Sequence, residues 1–293
     1  PENYGKKFYG PTTLRKGIEY SRNLMTVRIA KILGLNKIFD LSKKLNVYEE
    51  IPELLSVSLG AAETSLINLT SAYASFVNGG IKIEPKLISR IQDRRGKTIF
   101  KIKSRECLGC DKFINGSDEY PIIKNMNERV MSEETAYQMV TILNGAVKRG
   151  TAKKLKSLKV PIAGKTGTTN DNYDAWFIGF SSNLVIGVYI GFDNPKSLGK
   201  FETGSKAALP IFKNFVKKIV KKKDALPFKV PKNINLVMVD AETGLQPDSN
   251  TKKVIYESFK TGDNFLDTFE NSSDKHRLGF YDSDNQRTTL RFY

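Results

Sequence analysis

The chain has 293 residues, of which 40% are hydrophobic, and this composition excludes a disordered protein while allowing one large domain or two smaller ones. Its 47 Lys and Arg residues outnumber 31 Asp and Glu residues, which gives a net charge of +16. Such a charge suits an anionic partner. The basic residues are spread along the chain, and no aromatic and basic ribonucleoprotein motif accompanies them. We therefore expect no nucleic-acid partner.

The first 80 residues predict helices. A helix that Thr12 or Thr13 caps is followed by the tripeptide Ser21-Arg22-Asn23, whose residue types prefer caps and turns. A second helix then runs to Gly34, where glycine is a typical C-terminal signal. The tripeptide therefore lies at a junction between two helices. Further helices are predicted at residues 38–45 and 66–76.

The middle of the chain is less regular. After a turn at residues 78–80, the alternation at residues 81–91 predicts a strand. From about residue 93 to 127 the pattern degrades into charges and glycines, which indicates a surface insertion. It contains Cys107 and Cys110, the only cysteines, and a lone C-x-x-C cannot complete a zinc site by itself. Three interpretations of this pair stay open, in this order of preference: a disulfide, half of an intermolecular site, or two thiols without a function.

The remaining elements are clearer. Helical periodicity from Ser132 stops at Gly150, and three strands are predicted at residues 160–168, 174–180 and 184–192. A short turn joins the last two strands, which favours antiparallel pairing. A helix at residues 210–222 follows. Beyond residue 225 the chain becomes polar, with one apolar patch at residues 234–239 that predicts a strand. After about residue 262 we expect disorder.

The string GKTGTTN at residues 164–170 is the main candidate for a functional motif, and three interpretations of it can be compared. A phosphate-binding loop would need glycine five residues before Gly164, but Lys159 stands there, and the apolar flanks disfavour a linker. The remaining interpretation is a strand along a cleft, in which Lys165 supplies a positive charge and Gly167 allows close backbone approach. K-T-G preceded by S-x-N is typical of serine acyl-transfer enzymes that also carry S-x-x-K.

Three extended segments widen this pattern into a family resemblance. They are PENYGKKFYGPTTLRKGIEYSRNLMTVRIAKILGL, SVSLGAAETSLINLTSAYASFVNGGIKIEP and AGKTGTTNDNYDAWFIGFSSNLVIGVYIGFDNP. With them the chain resembles the transpeptidase domain of the bifunctional class A penicillin-binding proteins over most of residues 1–222. The resemblance implies an α/β (α+β) fold of the penicillin-binding transpeptidase and serine β-lactamase kind, with a mainly antiparallel sheet flanked by helices and a truncated N-terminus. Residues 1–224 would be a partial transpeptidase domain, and residues 225–293 a C-terminal extension.

The resemblance also implies a role for each motif residue. Ser21 would relay protons toward the leaving and attacking amines, and Asn23 would hydrogen-bond the backbone of the donor peptide. Lys165 would attract the terminal carboxylate of a D-Ala-D-Ala stem peptide, which the hydroxyls of Thr166 and Thr168 would place, and the N–H of Thr168 would form half of the oxyanion hole. β-Lactams would acylate the same upstream serine. The implied substrate-binding residues are Thr166, Gly167 and Thr169. Without that resemblance, capping roles for Ser21 and Asn23 and an exposed strand lysine would be the simpler interpretations. No metal or organic cofactor is expected.

One part of the family pattern is missing. The nucleophilic serine belongs to an S-x-x-K motif upstream of S-x-N, yet none of the twenty residues before Ser21 is a serine. The strings SLGK at residues 197–200 and SNTK at residues 249–252 follow K-T-G in polar segments and are interpreted as chance matches. His276, the sole histidine, lies in the tail, which argues against a Ser-His-Asp triad.

We therefore expect the nucleophile upstream of this chain, together with a glycosyltransferase domain and a membrane anchor at the periplasmic face of the bacterial inner membrane. The chain alone is predicted to be inactive and marginally stable, because loss of the serine-bearing helix would expose an apolar face. The alternative is a product of a split gene, either a catalytically dead remnant or a subunit that complements a separate fragment.

Overall fold

The computed structural model describes residues 3, 5, 7–103, 105–110 and 120–262 of the chain. The helices that lie wholly within these residues are α1 (Leu14–Glu19), α2 (Asn23–Leu33), α3 (Leu35–Lys44), α4 (Leu66–Val77), α5 (Glu133–Lys148) and α6 (Ala208–Ile219). The strands are β1 (Arg90–Gln92), β2 (Thr98–Lys101), β3 (Arg105–Leu108), β4 (Ile122–Asn125), β5 (Ala163–Thr168), β6 (Ala175–Phe180), β7 (Val185–Ile190), β8 (Ile234–Asp240) and β9 (Val254–Lys260). All strand pairs are antiparallel. This confirms the predicted α/β (α+β) class with antiparallel sheets and helices.

The central sheet has the strand order β5-β6-β7 and lies between two layers of helices. On one face Phe180 meets Tyr73 of α4, with ring centroids 6.5 Å apart. On the other face Phe177 meets Phe212 of α6, with centroids 4.8 Å apart. Because both faces are covered, β6 has the sequence AWFIGF, which is continuously apolar instead of alternating. β5, which carries K-T-G, is therefore fixed against a packed core.

The predicted junction between the first two helices is confirmed. Thr13 caps α1 by accepting a hydrogen bond from the backbone N–H of Lys16, at 3.2 Å. Ser21 follows the end of α1 with φ of +54°, a left-handed conformation that is uncommon outside glycine. α2 then begins at Asn23 and ends at Leu33, with Gly34 as its C-terminal cap. The S-x-N motif is thus a sharp connection between two helices.

The predicted strand at residues 81–91 is wrong over most of its length. Ile81 forms an isolated bridge with Arg129, and of the rest of this stretch only the last two residues, 90 and 91, belong to a strand, β1. Pro85 lies between them and has no N–H to donate to a ladder. Strands β2 and β3 of the predicted insertion are exposed. Cys107 and Cys110 form a disulfide in this region, which was the preferred interpretation of the C-x-x-C.

The segment after residue 225 contains a hairpin of β8 and β9. The apolar patch in the sequence predicted β8, but β9, with the sequence VIYESFK, was missed. The two strands pair from Ile234 opposite Lys260 to Asp240 opposite Val254. The predicted disorder after residue 262 lies outside the described residues, and the proposed domain boundaries stay predictions. In the part of the chain that the structure describes, no helix is both long and apolar enough to cross a membrane.

The packing of α6 on β6 makes a matched pair of substitutions informative. Phe212 is 1% exposed, whereas Phe215 on the same helix is 49% exposed. We expect Phe212→Ala to lower the free energy of unfolding by about 3–5 kcal/mol, because it opens a cavity beside Phe177. Phe215→Ala should cost less than about 1 kcal/mol. Denaturant unfolding of both variants checks this, and equal losses would contradict the described packing.

Candidate active site

Two residues from distant parts of the sequence meet at the predicted cleft. The ammonium of Lys165 on β5 donates a hydrogen bond to Oγ of Ser21, which lies 144 residues earlier in the chain. A second hydrogen bond runs from Nζ of Lys165 to the backbone oxygen of Thr166 at 3.0 Å. The structure therefore joins the S-x-N and K-T-G motifs in one site, as the family resemblance implied.

The environment of Lys165 makes its proton easier to release than that of an ordinary lysine. Burial lowers the pKa of Lys165 to about 8, since a low-dielectric surrounding disfavours the charged form. Within the described part of the chain, no carboxylate forms an ion pair with this ammonium. At neutral pH Lys165 is thus mainly a cation whose charge no carboxylate among the described residues offsets, and it suits an anionic ligand.

The three threonines of the motif already have partners in the protein. Thr166 Oγ1 shares a hydrogen bond with Thr151 Oγ1 at 2.9 Å. The hydroxyl of Thr169 accepts from the backbone N–H of Asp174 at 2.8 Å, which closes the turn between β5 and β6. Thr168 Oγ1 accepts from the backbone N–H of Gly204 at 3.0 Å and keeps its own O–H free to donate. Thr168 is also exposed, which suits a contact with a ligand.

Gly204 is a site residue that the sequence did not point to. A Cβ at this position would overlap the backbone oxygens of Gly167 and Trp176. Only glycine therefore allows the loop after residue 199 to approach β5 closely enough for its N–H to reach Thr168. In the sequence Gly204 stands in a polar turn between Thr203 and Ser205, without any motif to mark it.

Gly204→Ala is expected to push this loop away from β5. The added methyl group meets backbone oxygens that have no room to move, so we expect a loss of about 1–3 kcal/mol in the free energy of unfolding. Ser205→Ala, which removes a hydroxyl at the next position, is the control and should cost about 1 kcal/mol or less. Thermal unfolding of both variants checks the prediction; an unchanged stability of Gly204→Ala would refute the close approach.

The remaining predicted residues have defined positions. Asn23 is the first residue of α2 and is partly exposed, two residues after Ser21. Gly167 pairs with Trp176 across the sheet. Ser197, from the string SLGK, donates a hydrogen bond to the backbone oxygen of Asp171 at 2.7 Å and lies in a loop. The string SNTK lies in a turn and bend before β9. Neither S-x-x-K string starts a helix, in keeping with chance matches.

The chain is similar to known proteins in both sequence and fold. Residues 2–217 match the model of the penicillin binding protein transpeptidase domain. The chain belongs to the penicillin-binding protein transpeptidase family. Among its relatives, penicillin-binding protein 1A of Rickettsia conorii is 45% identical over 262 residues, or 89% of this chain and 33% of that protein. The chain thus spans about a third of the length of such a relative.

Solved structures of the transpeptidase family agree in fold. The crystal structure of penicillin-binding protein 1A from Haemophilus influenzae has a TM-score of 0.76 at 30% identity, covering 89% of this chain and 42% of that one. The PonA1 protein from Mycobacterium tuberculosis in complex with penicillin V has a TM-score of 0.62 at 17% identity, covering 79% of this chain and 62% of that one. The second likeness concerns the fold alone. Both support the penicillin-binding transpeptidase fold that the resemblance implied.

Proposed function

We propose that residues 1–224 form one wall of the active site of a serine-type D,D-transpeptidase that cross-links peptidoglycan. The observation that carries this proposal is the contact between the Lys165 ammonium and Ser21 Oγ, at a cation that no described carboxylate offsets. The same chemistry with water as acceptor would be a D-Ala-D-Ala carboxypeptidase reaction. β-Lactams, whose carboxylate resembles that of the stem peptide, are proposed to occupy the same cleft.

The roles of the residues follow from the reaction. The nucleophilic serine, expected from an S-x-x-K segment upstream, forms a bond to the carbonyl carbon of the penultimate D-Ala. The lysine of that motif takes the serine's hydroxyl proton, and the proton is relayed through Ser21 to the leaving amine of the terminal D-alanine as the amide C–N bond breaks and an acyl-enzyme remains. The amine of a second stem peptide then attacks the acyl carbon and forms the cross-link, while its proton returns along the same relay to the serine oxygen as the ester bond breaks. Lys165 holds the terminal carboxylate, with hydroxyls of Thr166 and Thr168 beside it. The N–H of Thr168 stabilises the oxyanion, and Asn23 holds the donor peptide.

The proposal for the whole protein is broader. A glycosyltransferase domain and a membrane anchor are proposed to precede this segment, with the transpeptidase domain at the periplasmic face of the bacterial inner membrane. The alternative of a non-catalytic remnant or complementing subunit is not favoured, because S-x-N and K-T-G remain in hydrogen-bond contact. A remnant without function would not be expected to keep a partly buried lysine with a lowered pKa at the end of that contact.

Labelling with a fluorescent penicillin tests the proposal. The protein used is the product of the whole native gene, including any residues encoded before Pro1. We expect it to be labelled covalently at the serine of an S-x-x-K motif. The 293-residue chain alone should stay unlabelled. A native product that is not labelled would refute the transpeptidase proposal. Labelling of the isolated chain, with peptide mapping to Ser197 or Ser249, would show that the nucleophile is misassigned.

A further inference from the structure

Four charged side chains, two buried and two partly buried, lie beneath the junction that holds Ser21. Arg15 of α1 is 4% exposed and Glu19, at the end of α1, is 2% exposed. Arg15 donates through Nε and Nη2 to both carboxylate oxygens of Glu257 on β9, and Nη1 lies 3.5 Å from Oε1 of Glu19. Arg149 donates through Nε to Glu19 at 3.0 Å and also through Nη2. Two arginines and two glutamates thus form one network.

The charges of the two arginines and two glutamates balance only because the β8–β9 hairpin contributes Glu257. Without Glu257, the buried Arg15 and the partly buried Arg149 would share the single carboxylate of Glu19, and an uncompensated charge at the buried Arg15 is strongly unfavourable. Burial lowers the pKa of Arg15, but the hydrogen bond and charge of Glu257, followed by those of Glu19, outweigh burial and raise it. Glu257 lies beyond residues 2–217, which match the transpeptidase family. A residue outside the matched domain therefore completes an ionic network inside it.

The network reaches the active site through Glu19. The backbone oxygen of Glu19 accepts a hydrogen bond from the N–H of Thr151 at 3.1 Å. The hydroxyl of Thr151 in turn shares a hydrogen bond with the hydroxyl of Thr166 in K-T-G. Glycines make this close contact possible, since a Cβ at Gly145 would overlap the carboxylate of Glu19 and one at Gly150 would overlap its backbone oxygen. The end of α1 is therefore held both to α5 and to the motif on β5.

Ser21 needs such support because its backbone is strained. It follows Glu19 by two residues and has φ of +54°, a conformation that a non-glycine residue keeps only where the surroundings fix it. Hydrogen bonds from the N–H of Ser21 to the oxygen of Ile18, and from the N–H of Arg22 to the oxygen of Gly17, tie the turn to α1. A shift of α1 therefore moves Ser21 Oγ relative to Lys165.

We propose that the β8–β9 hairpin is a positioning element of the active site, in which Glu257 acts through Arg15 and Glu19 to hold Ser21 against Lys165. The expected effect of Glu257 on acylation rests on the proposed function. The hairpin is further held to α5 by the side-chain amide of Gln138, which donates to the backbone oxygen of Ser258 at 2.8 Å, and by Arg15, which donates to the backbone oxygen of Thr141 at 2.9 Å. Glu257 is thus a positioning residue that does not touch substrate.

Acylation of the native gene product by a fluorescent penicillin tests this role. Glu257→Gln keeps the size of the side chain but removes its charge, and we expect the second-order rate constant of acylation to fall at least tenfold while the final labelling stays complete. Glu257→Asp, which keeps the charge, should recover part of the rate. The control is Glu242→Gln in the turn of the same hairpin, where Glu242 pairs with Lys16 at the surface; its rate constant should change less than about twofold.

Two results would overturn the proposal. If Glu257→Gln lowers only the labelled fraction and the remaining protein reacts at the normal rate, the network supports folding alone. A second measurement does not depend on acylation: NMR titration of ¹³C-labelled lysines in the native gene product. Lys165 should titrate higher in Glu257→Gln, by about half a pKa unit or more, because a displaced Ser21 admits water, and Glu242→Gln should leave it unchanged. If the pKa of Lys165 is the same in Glu257→Gln as in the wild type, the positioning role is refuted. If the wild type is not acylated but the pKa of Lys165 is higher in Glu257→Gln, only the transpeptidase proposal is refuted.

Discussion

Replacement of Lys165 by methionine is expected to lower the second-order rate constant of penicillin acylation by roughly 10²–10³-fold in the native gene product. Methionine has a similar length but neither donates to Ser21 Oγ nor attracts a carboxylate. The loss therefore combines a missing hydrogen bond with a missing cation at the point where the ligand's negative charge binds. The rate of appearance of fluorescent acyl-enzyme at several penicillin concentrations gives this constant.

The matched control for that prediction is Lys156→Met. Lys156 is an exposed residue of the short 3-10 helix Lys153–Leu158, just before β5. This substitution removes the same charge from the same region without touching the cleft, so its acylation rate should stay within about twofold of the wild type. If Lys165→Met and Lys156→Met reacted alike, the role assigned to Lys165 would be wrong.

Acylation is also expected to fall as the pH rises through about 8. The pKa of Lys165 is lowered by burial to about 8, so the charged form dominates below this pH and disappears above it. If the ammonium binds the carboxylate, the second-order rate constant should drop roughly tenfold between pH 7 and pH 9, since this constant reports the protonation state of the free protein. Stopped-flow labelling across this pH range measures the fall.

A penicillin whose carboxylate is methylated separates this effect from other titrations. The ester has no negative charge for Lys165 to attract, so the ratio of the rate constants for acid and ester should decline above pH 8, whatever the nucleophile does. A ratio that stays constant from pH 7 to pH 9 would show that the charge of Lys165 is not used to bind the carboxylate. A ratio that rises would indicate that the neutral amine is the active form.

The sequence predicted the local structure of the site well. Capping residues at Thr13 and the tripeptide Ser21-Arg22-Asn23 placed S-x-N between two helices, and the apolar pattern placed K-T-G on a strand. Their contact could not be derived from spacing, because 144 residues separate Ser21 from Lys165. The family resemblance supplied that step. The roles of Asn23, Thr166, Gly167 and Thr169 in substrate binding stay predictions.

Other features were not readable from the sequence for physical reasons. The alternation at residues 81–91 resembles a strand, but Pro85 removes a ladder donor. Strand β9 was missed because Glu257 and Ser258 interrupt its apolar pattern. Glu257 accepts hydrogen bonds from Arg15, which lies 242 residues earlier in the chain. Among 47 basic and 31 acidic residues, the sequence gives no means to single out that pair. The close approach of Gly204 depends on tertiary packing in the same way.

The most direct test of the cleft assignment is a crystal structure of the native gene product acylated by a penicillin. We expect the drug's carboxylate to accept a hydrogen bond from the hydroxyl of Thr166 or Thr168, at about 3 Å. The ammonium of Lys165 should lie within about 4 Å of the same carboxylate, with Ser21 Oγ next to the former β-lactam nitrogen. A penicillin bound through a serine but with its carboxylate away from β5 would contradict the assignment of Ser21, Lys165 and Thr168 as the catalytic wall.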